Sequence, residues 1–385
     1  MLAVTVLLSM LVACASGGLG GDVPTGRGGD PSDPSPSSPD APGIDAGGSS
    51  SPDPGPGDPG DDPGTPPDGD MRCGAFAPAG VMHAPPPPAY SGGTCPTLAP
   101  GRNVLTSSGA RRELLLIVPE GYDPATERVP LVVLWHHIAG DASALARDVQ
   151  AQANADELRF IAAIPEKKGD LTISIAGYSF DPVWPYLEAT SADRLREEVV
   201  FFDDMLSCIA AAYAIDTDCV STGGVSSGGL FVPQLIERRS DRLASAIIVA
   251  GGIGPATSYG SDVRGFTSAA HRLPVLIGWG GDDTCGVDFA RASRNFEARL
   301  DGHFLMECIH NCGHGPPPVD DPAYGLSLVW NFVFDHPFWL PDGRSPYLDN
   351  GFREGTPSWC GIGAGSAVPR TGSCPSTTSC SFPSL

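Results

Sequence analysis

Residues 212–229 read AYAIDTDCVSTGGVSSGG. Cys219–Thr222 predicts a strand, Gly223–Gly229 is a run of small residues, and the stretch from about Leu230 to Arg238 predicts a helix. Inside the small-residue run, Gly224-Val225-Ser226-Ser227-Gly228 has the G-x-S-x-G spacing of a nucleophile elbow. There, small neighbours permit a strained strand-to-helix turn that lifts the serine above a sheet. In a chain with 49 glycines five letters alone say little, but the strand-turn-helix context makes Ser226 the candidate nucleophile.

Working outward, strand and helix patterns alternate on both sides. Arg112–Val118, Val129–Trp135 and Phe160–Ile164 are apolar runs of the buried-strand type, with a helix expected over Ser143–Leu158. Leu195–Tyr213 repeats Val199, Phe202, Met205, Leu206 and Ile209 at three- and four-residue spacing, as an amphipathic helix does. Further strands are expected at Ala244–Ala250, Pro274–Trp279 and Phe304–Ile309, and helices at about Phe289–Leu300 and Tyr324–Phe334. The alternation predicts an α/β fold, a mostly parallel doubly wound sheet with helices on both faces.

A serine nucleophile needs an acid after a later strand and a histidine last. Trp279-Gly280-Gly281-Asp282-Asp283 supplies Asp283 as the acid, with Asp282 its solvated neighbour. His314, in Gly313-His314-Gly315, is the candidate base, and His310 is expected to be a surface or loop residue between two cysteines. Two backbone N–H groups must face the developing oxyanion: that of Ser227 and one from the loop Trp135–Gly140, His137 first and Ile138 next. Trp184 and Tyr186 are candidate cleft aromatics, core packing being the commoner fate of such residues. Cys308, His310, Cys312 and His314 are all metal-ligand types, but their spacing fits no familiar zinc site, and neither metal nor cofactor is expected.

The N-terminal part has a different composition. Met1–Cys14 (MLAVTVLLSMLVAC) is an apolar run too short to span a bilayer, and Leu11-Val12-Ala13-Cys14 resembles a bacterial lipobox, which implies a lipid-modified Cys14 and a membrane anchor. Residues 15–70 are nearly all Gly, Pro, Ser, Asp and Ala, a composition unable to offset chain entropy by burial. This tether holds eleven of the 45 acids and Arg27. The remaining 34 acids and 22 bases leave the rest near −12, against −22 for the whole chain. Such a surface repels phosphate backbones, so nucleic acid is an improbable ligand. Ten cysteines remain besides Cys14, and export makes disulfides the default. Cys208 and Cys219 form one expected bridge, and Cys73 with Cys95 another. Two of Cys360, Cys374 and Cys380 are expected to pair, and Cys285, Cys308 and Cys312 bracket the candidate site.

From about residue 112 to 335 the chain resembles the polyhydroxybutyrate depolymerase and feruloyl esterase family of secreted α/β-hydrolases. The resemblance is carried by PLVVLWHHIAGDAS (130–143), FIAAIPE (160–166), residues 212–229, WGGDD (279–283) and CGHG (312–315). It implies an α/β-hydrolase fold and a cofactor-free serine esterase acting on extracellular esters, either feruloyl or acetyl groups on polysaccharide or aliphatic polyesters. The sequence departs from the family at His136-His137, where His-Gly is usual, and in Gly-Pro-Pro-Pro after His314. Expected boundaries are a signal at 1–14, a tether at 15–70 and a Cys/Pro-rich lead-in at 71–110. The catalytic domain follows at 111–340 and an irregular Cys-rich tail at 341–385. The chain is expected to be a monomer, exported and anchored at the outer membrane or cell surface, or secreted. A binding lipoprotein on the same scaffold and an acyltransferase are the alternatives.

Overall fold

The computed structural model describes residues 72–374, except 76, 176–177, 259 and 316–321. The signal, Cys14, the whole tether and Cys380 lie outside the described residues. The strands are β1 (Gly101–Ser107), β2 (Ala110–Ile117), β3 (Val129–Trp135), β4 (Ile161–Pro165), β5 (Ile173–Ile175), β6 (Tyr178–Phe180), β7 (Ile215–Val225), β8 (Ser245–Val249), β9 (Val275–Trp279), β10 (Leu305–Ile309) and β11 (Cys360–Ile362). The helices are α1 (Ala142–Asp148), α2 (Ala151–Leu158), α3 (Ala192–Ala212), α4 (Ser227–Arg239), α5 (Phe289–Glu297), α6 (Pro322–Phe334) and α7 (Pro346–Asn350).

Nine strands form one sheet in the order β1-β2-β4-β3-β7-β8-β9-β10-β11, and β5 and β6 make a separate hairpin. From β4 to β10 neighbouring strands are parallel, while β1, β2 and β11 are added antiparallel at the two edges. The parallel strands are buried on both faces. In β3, Leu131, Val133 and Trp135 enter one core with residues of α3, α4 and α5, whereas Val132 and Leu134 enter the other with residues of α1, α2, α6 and α7. Covering both faces is why β3 reads as unbroken apolar sequence. Among the described residues, no helix is long and apolar enough to cross a membrane.

Several expectations are corrected. The lead-in and the tail each contain regular structure: β1 begins inside the former, and α7 and β11 lie in the latter. The helix expected over Ser143–Leu158 is two helices, broken where Gln150 takes a left-handed conformation. The disulfides among the described residues include Cys73–Cys219, Cys95–Cys208, Cys308–Cys360 and Cys312–Cys374, so neither Cys208–Cys219 nor Cys73–Cys95 forms, and Cys360 and Cys374 pair with cysteines of β10 and the histidine loop and not within the tail. Strand parity explains the exchange. Val220 faces the core that contains Cys208, so Cys219, one residue earlier, points through the other face of the sheet. Cys73 packs on that second core and Cys95 on the first, and each takes the cysteine on its own side. Cys285 is also disulfide-bonded.

Candidate active site

The parallel strands deliver the candidate residues to one end of the sheet, at their C-terminal tips, where ligands of open α/β sheets bind. Ser226 follows β7, Asp283 follows β9, His314 follows β10, and the loop from His136 follows β3 on the other flank of β7. Ser226 has φ 56° and ψ −118°, a strained conformation for a residue with a side chain. It is held there from both sides: its N–H donates to Val249 C=O at 2.9 Å, and its own C=O accepts from Leu230 N–H at 2.8 Å. The elbow closes only because its neighbours lack side chains. A Cβ on Gly229 would stand 2.8 Å from the Val249 oxygen, and one on Gly228 2.6 Å from the Trp135 carbonyl carbon.

Asp283 is buried and its backbone C=O accepts from Phe289 N–H at 2.9 Å, which ties the acid turn to the start of α5. The acid turn and the histidine loop are pinned together: His310 N–H donates to Trp279 C=O at 3.0 Å and Gly313 N–H to Gly280 C=O at 3.1 Å. Gly280 permits this approach, since a Cβ there would lie 2.6 Å from Gly313 carbon. The result is a continuous relay. His314 Nδ1 lies 2.8 Å from Asp283 Oδ1 and His314 Nε2 lies 2.9 Å from Ser226 Oγ. With Nδ1–H donating to the carboxylate, Nε2 keeps the lone pair that accepts the serine proton. Phe289 stacks on the imidazole, with centroids 4.4 Å apart and planes at 20°. Sequence reasoning missed Phe289, although its place at the first turn of the helix after the acid was a usable signal.

On the β3 side, Ser227 Oγ is 3.4 Å from His136 C=O, which brings the loop after Trp135 beside the first turn of α4. His136 is fully buried, and desolvation holds its pKa below the usual value, so its ring stays neutral. His137 is partly buried, with its ring against Gly140. Trp184 and Tyr186 are core residues and not cleft aromatics, and Trp184 meets Trp135 edge-on at 4.9 Å. His310 lies in the loop after β10 and is buried there: its Nδ1 accepts from Cys312 N–H at 3.2 Å and desolvation lowers its pKa to about 4. Cys308 and Cys312 are bonded to Cys360 and Cys374 and have no thiolate to offer a metal. A cleft of about 600 Å³ lined by Pro100, Val118, Tyr122, Gln152, Asp156 and Tyr213 is elsewhere, near the start of β7. It contains no nucleophile beside a base, so the relay, not the cleft, defines the candidate site.

No family model matches the chain. Over 167 residues it is 24% identical to feruloyl esterase D of Neurospora crassa, an alignment spanning 43% of this chain and 54% of that protein. Among solved structures, a pOPH variant in complex with DMSO superposes with a TM-score of 0.56 at 16% identity, covering 71% of this chain and 98% of the other. Native sOPH gives 0.55 at 19% identity, covering 70% and 97%. The chain therefore has the α/β-hydrolase fold, and over part of its length it is similar to feruloyl esterase D.

Proposed function

We propose that this protein is a serine carboxylic-ester hydrolase acting outside the cytoplasm. The observation that carries the reading is the Ser226–His314–Asp283 relay, with links of 2.9 and 2.8 Å, built on a strained elbow. Ser226 Oγ attacks the ester carbonyl while His314 Nε2 takes its proton, and Asp283 stabilises the imidazolium that forms. The tetrahedral oxyanion is met by the Ser227 N–H and by an amide of the turn after β3, that of His137 or Ile138. His314 then protonates the departing alcohol. Water, deprotonated by the same imidazole, releases the acid from the acyl-enzyme. No cofactor enters these steps.

The substrate classes we propose are feruloyl or acetyl esters of polysaccharides and aliphatic polyesters. The likeness to feruloyl esterase D supports the first. We propose export from the disulfide set, and a lipid anchor at Cys14 from the lipobox resemblance. The test is hydrolysis of p-nitrophenyl butyrate by the oxidised protein and by Ser226→Ala. Activity lost with the hydroxyl supports the reading and directs a screen of feruloyl, acetyl-xylan and polyester substrates. An inactive, well-folded wild type refutes it.

A further inference from the structure

Three consecutive carbonyls of the turn after β3 are each held by the N–H of a ring. Trp184 Nε1 donates to His136 C=O at 2.8 Å, His136 Nδ1 to His137 C=O at 2.9 Å and His137 Nδ1 to Ile138 C=O at 2.7 Å. Since a carbonyl only accepts, both imidazoles carry a proton on Nδ1. Residues 137–140 form a β-turn closed by Gly140 N–H to His137 C=O at 3.2 Å. Ala139 has φ 62° and Ile138 is not in the positive-φ region, which makes the turn type II. Its third position ordinarily takes glycine, so the alanine is strained and something must hold it.

A planar peptide couples each C=O to the next residue's N–H. Trp184 therefore sets the direction of the His137 amide, His136 that of Ile138, and His137 that of Ala139. The second oxyanion donor must come from this stretch. Trp184 is itself delivered by a strained turn: its N–H donates to Pro182 C=O at 2.8 Å around Val183, whose φ of 71° is exceptional for a β-branched residue. The His137 ring lies flat on Gly140, where a Cβ would be 2.7 Å from Cε1 and 2.9 Å from Nε2.

We infer that the Trp184 indole and the His137 imidazole are positioning residues for the oxyanion hole: Trp184 fixes the His137 amide directly, and the His137 ring, bonded to the Ile138 carbonyl and packed on Gly140, holds in place a turn that lacks the glycine its shape calls for. This rests on the serine-esterase reading above. The test compares His137→Ala, His137→Asn, Gly140→Ala and Trp184→Phe with wild type in p-nitrophenyl butyrate kinetics. Labelling of Ser226 by a fluorophosphonate and thermal melting are followed alongside. His137→Ala, Gly140→Ala (which displaces the ring without touching it) and Trp184→Phe should each lower kcat about tenfold or more with KM within about threefold. The labelling rate should fall in step. His137→Asn, whose amide can still donate to Ile138 C=O, should regain most of the loss. The inference is overturned if His137→Ala and Gly140→Ala both keep kcat within about twofold of wild type, or if the loss falls on KM alone, or if Asn restores nothing. A wild type that neither hydrolyses nor labels removes the esterase reading, and this inference with it.

Discussion

Gly228 is the second residue of α4 and lies against the end of β3. A methyl group there would sit 2.6 Å from the Trp135 carbonyl carbon and nearer still to its oxygen. Both atoms are backbone and neither can rotate away. Gly228→Ala must therefore open the gap between α4 and β3 by on the order of 1 Å, an overpacking that costs about 1–3 kcal/mol. The first turn of α4 also carries Ser226 and the Ser227 amide, and a shift of about 1 Å at a reacting centre costs on the order of 100-fold in rate. Gly223→Ala is the control. Five residues earlier in the same glycine-rich segment, its added methyl meets first the Leu134 Cδ2 methyl at 3.3 Å, which can turn aside, so it should stay within about 1 kcal/mol and a few-fold of wild type. Thermal unfolding by circular dichroism and p-nitrophenyl butyrate kinetics on the three proteins read both effects. Gly228→Ala matching wild type in rate and melting temperature, or Gly223→Ala proving as damaging, would refute the steric reasoning.

Asp283→Asn keeps the shape of the acid but lets an amide face His314 Nδ1 and favour the wrong tautomer; kcat should fall about 10⁴-fold, and a loss under about tenfold in steady-state kinetics would remove Asp283 from its orienting role. Replacing Cys95 and Cys208 together by Ala opens a loop closed across 113 residues, worth about 5 kcal/mol in the chain-entropy model, to be read as a shift in urea midpoint at constant slope. Burial beside Glu307 raises Glu297 to about 8, so the folded state holds a proton that the unfolded state has lost. This stability is fully present below the unfolded pKa near 4.5, declines by about 1.4 kcal/mol per pH unit above it and is gone once pH passes about 8. Urea unfolding at pH 5, 6.5 and 8 should show that slope, and Glu297→Gln should remove it.

What was readable in the sequence was whatever local pattern and chain order determine. Val129–Trp135 is continuous and apolar because helices cover it on both faces, so its limits were visible without a structure. Ser226, Asp283 and His314 could be named because each follows a recognisable strand in a required order. β1 was passed over as part of the Cys/Pro-rich lead-in because an edge strand needs only one buried face, and Arg102, Asn103 and Ser107 break its apolar pattern. β11 is three residues long and exists through pairing with β10. Disulfide partners depended on which face of the sheet each cysteine points through, a question about parity and not about spacing. The hydrogen bond from the Trp184 indole to the His136 carbonyl joins segments 48 residues apart, which hydrophobicity cannot reveal. Burial of His310 follows from a tail folded back by disulfides.

Cys308–Cys360 and Cys312–Cys374 tether segments made after His314 to the strand and loop that present it. During synthesis the elbow, the acid turn and the histidine loop are therefore all made before the two bridges can close. On the proposed export, maturation of the candidate centre is tied to oxidation of residues 360–374 beyond the reducing compartment. The same arrangement predicts how the proposed activity ages: a mild reductant or a protease that frees residues 360–374 should silence it while most of the sheet still stands.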